Sequence, residues 1–186
     1  MKKIIIATIL CILVFVINQT AHALLLGKDL QIEYYYPDLT NQYWATTTTV
    51  IDPGVEWHSY DSAGHGVTVD IKDDLIEVYN DVGGWSYSAG FNGLVITDID
   101  NVIPDFIGLD IASMTGDLPP VDPILSFTAN KLYINFNATS NDNLGDEELP
   151  QTYEFRASAV PEPATIVLLG AGLVGLAGFG RKKFKK

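Results

Sequence analysis

The densest polar and aromatic stretch of the chain is Trp57-His58-Ser59-Tyr60-Asp61-Ser62-Ala63-Gly64-His65. Imidazole and carboxylate donors together suit zinc and similar ions, so His58, Asp61 and His65 are the first residues to weigh as ligands. Their spacing fits no established ligand motif, and the segment reads as a loop without a fixed face. Solvated histidines are the expectation here. The acidic stretches offer harder donors. Asp98 and Asp100 stand two apart near a strand end, and Asn141-Asp142-Asn143-Leu144-Gly145-Asp146-Glu147-Glu148 gathers oxygen ligands around a glycine. Calcium takes six to eight such oxygens in flexible loops, although neither stretch has the EF-hand register. Calcium at Asp98, Asp100, Asp142 and Asp146 is thus an expectation that rests on donor type alone, and no other cofactor is expected.

Covalent and hydrolytic chemistry finds less support. Cys11 is the single cysteine and lies in the N-terminal apolar run, so the rest of the chain has no disulfide, thiolate nucleophile or cysteine-ligated metal. No Gly-x-Ser-x-Gly elbow and no phosphate-cradling loop is present. Paired carboxylates do glycoside hydrolysis at defined separations, but in a chain this acidic some pair is always close. A non-enzymatic role is expected, with a secreted hydrolase as the weakest alternative. The remaining candidates are aromatic. Trp57, Tyr60 and Trp85, with Trp44, Tyr87 and the nearby Gly83-Gly84, are the residues for a sugar-stacking platform. Aromatic side chains of this size more often fill a core, so a carbohydrate-binding module is the alternative and not the leading expectation.

Charge narrows the partners. The chain of 186 residues has a net charge of −12. Of its 23 Asp and Glu, only Glu162 lies outside Leu24–Ala159; of its 11 Lys and Arg, only Lys28, Lys72, Lys131 and Arg156 lie inside. That segment therefore sets 22 negative against 4 positive charges, a net of −18. Such a surface repels nucleic acid and anionic membrane and favours solubility and divalent cations.

The elements that must position these residues have the period of strands. Gln31–Tyr36 ends at Pro37-Asp38, and Ala45–Ile51 ends at Asp52-Pro53-Gly54; β-branched and aromatic runs bounded by such residues predict strands. Val67–Ile71 alternates strictly, Lys72-Asp73-Asp74 turns, and Leu75–Tyr79 returns as a hairpin. Leu94–Ile99, Phe106–Ile111 and Gln151–Arg156 predict further strands. Ile124–Thr128 and Lys131–Asn137 predict a second hairpin around Ala129-Asn130. Asn141–Pro150 reads as a polar acidic loop. No window in this region has a 3.6-residue period. Eight to ten short strands predict one all-β domain over Leu24–Ala159, an antiparallel sandwich of jelly-roll-like form.

Both ends of the chain read differently from this middle. Met1–Ala23 has a basic start, an apolar stretch and the small-x-small site Ala21-His22-Ala23, the pattern of a secretory signal peptide. At the other end come Pro161-Glu162-Pro163, an uncharged apolar run from Ala164 to Gly180, and the cluster Arg181-Lys182-Lys183-Phe184-Lys185-Lys186. As a helix, the run is roughly 25 Å long at about 1.5 Å per residue. Local thinning and snorkelling lysines fit that length to a bilayer. The basic cluster orients it with the tail in the cytoplasm and everything before Val160 outside.

Val160-Pro161-Glu162-Pro163-Ala164, the glycine-rich apolar run and the basic end through Arg181, Lys182 and Lys183 resemble the PEP-CTERM tail of Gram-negative bacteria. The resemblance implies a substrate of exosortase, a multi-pass membrane cysteine transpeptidase that cleaves near the Pro-Glu-Pro. It further implies transient anchoring in the inner membrane, then the cell surface or an extracellular polysaccharide (biofilm) matrix, with exopolysaccharide as neighbour. More loosely, Phe91–Ile99 with Ile103-Pro104, and Leu125–Phe136, are similar to β-rich exported domains that precede such tails. That likeness implies fold and location only.

Overall fold

Alternation of apolar and polar residues dictates the pairing, because a strand with period two buries one face and wets the other. In the computed structural model, residues 25–60, 66–80, 90–116, 122–138 and 150–160, together with Gly172, are described. Among them the chain forms ten strands and one 3-10 turn. The strands are β1 (Asp29–Tyr35), β2 (Gln42–Thr49), β3 (Trp57–Tyr60), β4 (Gly66–Lys72), β5 (Leu75–Asn80), β6 (Gly93–Asp98), β7 (Phe106–Gly116), β8 (Ile124–Phe127), β9 (Lys131–Asn135) and β10 (Gln151–Ala159). They make two five-stranded antiparallel sheets, ordered β2-β1-β6-β9-β8 and β3-β4-β5-β10-β7.

The inward faces of both sheets meet in one core. Leu30, Ile32, Leu94, Ile96, Leu132 and Ile134 enter it from the first sheet, and Val69, Ile71, Ile76, Val78 and Phe155 from the second. Phe136, in the 3-10 turn Phe136–Ala138, tilts against Tyr153 at 5.2 Å and meets Phe155 edge-on at 6.1 Å. Gly93 is required where β6 crosses β9: a Cβ there would lie 1.9 Å from the Ile134 carbonyl oxygen.

Several expectations change on meeting these partners. The jelly-roll form is not what is made. A jelly roll winds two Greek keys through its two sheets, whereas here β1–β2, β3–β4, β4–β5 and β8–β9 each pair with their sequence neighbour in the same sheet. Short local loops favour this. The first hairpin turns on two residues, Asp73-Asp74, with Lys72 opposite Leu75 and Asp73 at φ 30°. Strand β7 runs on to Gly116 because β10 supplies a partner for its whole length, with two register shifts. Strand β9 stops at Asn135, whose side-chain Oδ1 accepts the N–H of Asn137 and turns the chain. The signal-peptide reading over 1–23, the acidic loop over 141–149 and the tail beyond Val160 (Gly172 apart) lie outside the described residues. Among the described residues no helix is long and apolar enough to cross a membrane.

The antiparallel order gives the sandwich two ends. We call the exit end the one where β10 finishes; β2, β4, β6 and β8 also finish there, and β1, β5, β7 and β9 begin. Backbone bonds tie the two sheets together at that end: Leu25 N–H to the Asp73 carbonyl (2.8 Å) and Phe106 N–H to the Ala129 carbonyl (2.9 Å).

Candidate functional site

The tail leaves from a central strand. β10 lies between β5 and β7, and its last residue, Ala159, pairs with Phe106. Val160 is tied to the fold by its N–H, which donates to the Asp105 carbonyl at 2.8 Å. Pro161 then has no N–H to extend the ladder and biases Val160 toward extended backbone. No linker intervenes between the buried strand and the Pro-Glu-Pro.

Residues 159–182 match the PEP-CTERM protein-sorting motif. The chain carries a PEP-CTERM sorting motif. Its first matched residue is the last residue of β10, so the motif begins where the pairing ends. The PEP-CTERM motif indicates a secreted, exosortase-sorted protein, with exosortase as the processing partner and a transient stay in the membrane before processing. The match takes in Val160, Pro161, Glu162, Pro163, Arg181 and Lys182 and stops before Lys183. No curated protein and no solved structure matches the chain.

The other candidates take varied places. Trp57–Tyr60 is not a loop but β3, an edge strand paired with β4, so His58 sits in a ladder opposite Thr68. The short run was legible only through its partner: Val67–Val69 supplies the hydrogen bonds that a four-residue strand cannot supply for itself. Asp61 and His65 lie outside the described residues. Trp57 stacks on Trp44 of β2, ring centroids 3.6 Å apart and planes at 16°, and Trp44 in turn lies 6.2 Å from Tyr34 at 17°. Both tryptophans are half-buried and pack against the core. They close the open side between the edge strands β2 and β3. Tyr60 ends β3, and Trp85 lies outside the described residues.

Asp98 and Asp100 separate. Asp98 ends β6 on the face of Leu94 and Ile96 and is 1 % exposed, whereas Asp100 is exposed. One Asp98 oxygen accepts the Ile103 N–H at 2.8 Å, which folds the loop after β6 back on itself; the other has no hydrogen-bond partner. Among the described residues no group of three or more His, Cys, Asp or Glu converges as a metal site. Asp142 and Asp146 lie outside the described residues.

Glu56 is a structural carboxylate that the sequence concealed. It precedes β3 and is buried, accepting the N–H of Ile51 at 3.1 Å and of Ile71 at 2.6 Å. Its side chain thus replaces the strand that β4 lacks beyond Trp57. Burial raises its pKa from the ordinary value, and the two backbone donors only partly oppose that shift. Nothing in its spacing marks this role.

Proposed function

We propose that this chain is a non-enzymatic exported protein whose sandwich domain is delivered by exosortase to the cell surface or an extracellular polysaccharide matrix. The observation that carries the reading is the junction at Ala159–Val160, where a central strand passes into the PEP-CTERM motif without a linker. As residue types, Pro161 and Pro163 disfavour helix and ladder pairing, which suits a processing enzyme, and Glu162 is the only charge in the sequence between Arg156 and Arg181. The acidic domain, −18 over Leu24–Ala159, suits a hydrated and soluble life outside the membrane.

Mass spectrometry of the C-terminus tests the reading in one host with exosortase and one without. Loss of roughly the last twenty-five residues in the first host alone is expected from cleavage at the motif. An intact Lys186 in both hosts would sink it. A pull-down on purified exopolysaccharide separates this reading from the carbohydrate-binding alternative, which retention of the processed protein would favour.

A further inference from the structure

The exposed apolar side chains of the sandwich are gathered at one end. Leu26, Ile51, Val55, Ile99, Val102 and Val160 all lie in the connections before β1, after β2, before β3, after β6 and after β10, and each is at least 40 % exposed. Ile107 and Phe127, at the adjoining ends of β7 and β8, bring the number at the exit end to eight of the eleven exposed large apolar residues described. Leu39, Tyr43 and Ile124 are the other three, and they sit at the far end.

Burial would be the ordinary fate of such side chains, and a gathering of them marks a surface that meets something apolar. The loops that carry them are built, not loose. Asp98 and Glu56 spend buried carboxylate oxygens on Ile103 and Ile51 N–H groups, fixing the loop after β6 and the loop after β2. Val160 belongs to the same end, and the uncharged run starts four residues later at Ala164. At no more than about 3.5 Å per residue, the chain between them spans roughly 14 Å. The start of the run therefore lies within that reach of Val160.

We propose that the exit end is a lipid-docking face, its apolar loops resting in the interfacial layer of the membrane that holds the unprocessed tail. The proposal rests on the reading of residues 164–180 as a membrane-inserted segment. Tethering supplies a high effective concentration, so shallow contacts by single Leu, Ile and Val side chains suffice. The contact is suited to neutral headgroups. Asp52, Asp73, Asp100 and Asp105 are exposed at the same end, and an anionic lipid surface repels them within about a Debye length. Docking here holds Pro161-Glu162-Pro163 at the membrane surface, where a membrane-embedded transpeptidase works, and cleavage releases the domain from a contact too weak to hold it alone.

The test uses the full chain with Cys11→Ser, reconstituted in phosphatidylcholine vesicles that contain a spin-labelled quencher lipid. A fluorophore is placed by Val102→Cys or Ile51→Cys at the exit end, by Leu39→Cys at the far end, and by Gly172→Cys in the apolar run. Quenching at Val102 and Ile51 at least twice that at Leu39 is expected, falling when Val55→Ser and Ile99→Ser are added and when anionic lipid is included at low salt. Equal quenching at Val102 and Leu39, with Gly172 quenched, overturns the docking face while leaving the tail reading intact. An unquenched Gly172 overturns the tail reading, and the docking face with it. A Val102 probe shielded from aqueous iodide but unquenched by the lipid label means a protein covers this end, and overturns the lipid assignment.

Discussion

The two ends of the sandwich solve one problem with different chemistry. Each must give partners to backbone N–H groups where the ladders stop, since an unpaired buried donor is costly. At the exit end, buried carboxylates do this: Glu56 takes the N–H groups of Ile51 and Ile71, and Asp98 that of Ile103. At the far end, neutral amides do it. Asn135 Oδ1 accepts from Asn92 and Asn137, both at 3.0 Å, and Tyr34 donates to Asn92 Oδ1 at 2.5 Å. The turn after β1 is capped at the surface, where Asp38 accepts from the Thr40 N–H and hydroxyl and from the Asn41 amide. The Glu56 carboxyl answers to pH because burial raises its pKa, whereas an amide does not. The exit end is therefore the pH-responsive one, best held in acid, and its loops are the apolar ones.

Breaking the carboxylate cap gives the largest expected effect. Glu56→Ala strands two backbone donors and should cost about 3 kcal/mol, read by denaturant unfolding. The pH response has a definite sign. The folded pKa of Glu56 is raised above 4.5, so the protonated form is favoured and its contribution is fully present below that value. That contribution is lost as pH rises through the folded pKa, so the gap between wild type and Glu56→Ala should narrow from acid to neutral pH. A gap that widens over that range contradicts the assignment.

The corresponding change at the far end is Asn135→Ala. It removes the acceptor that Asn135 Oδ1 gives to the N–H groups of Asn92 and Asn137 and should cost about 2 kcal/mol. Its cost should be flat between pH 4 and 8; a slope there would erase the contrast between the ends. Smaller again is Tyr34→Phe, at about 1 kcal/mol for one hydrogen bond. Burial first, then the neighbouring Tyr36 and Tyr43, push the Tyr34 phenol from 10.0 up to about 12. The wild type should thus lose stability as pH climbs from 10.0 to about 12, and Tyr34→Phe should lose less; phenolate absorbance at high pH checks this. Least of all, Val102→Ser on the exposed exit-end loop should change unfolding by no more than about 0.5 kcal/mol. A larger loss in thermal melting would mean that Val102 supports the fold and is not displayed by it.

Much of this architecture was legible from residue order. Val67–Ile71 and Leu75–Tyr79 alternate with period two and are separated by aspartates, so the hairpin is a local consequence of pattern and turn chemistry. The same holds for β8 and β9 around Ala129-Asn130. The sorting motif is more local still: Pro161-Glu162-Pro163, an uncharged run and a basic end are covalent facts that need no partner. Residues whose role depends on distant neighbours were not legible. Trp57-His58-Ser59-Tyr60 becomes a strand only because β4 offers its free edge. Trp44 and Trp57 stack because β2 and β3 fall on the same open side of two different sheets. Asp98, read with Asp100 as a calcium ligand on donor type alone, is buried because the parity of β6 turns it to the side of Leu94 and Ile96. Sequence alone determines period, turns and the sorting motif, since these act over a few residues. Only the tertiary structure decides which face is covered, which carboxylate is buried and which loops share an end, because those depend on contacts between segments far apart in the chain.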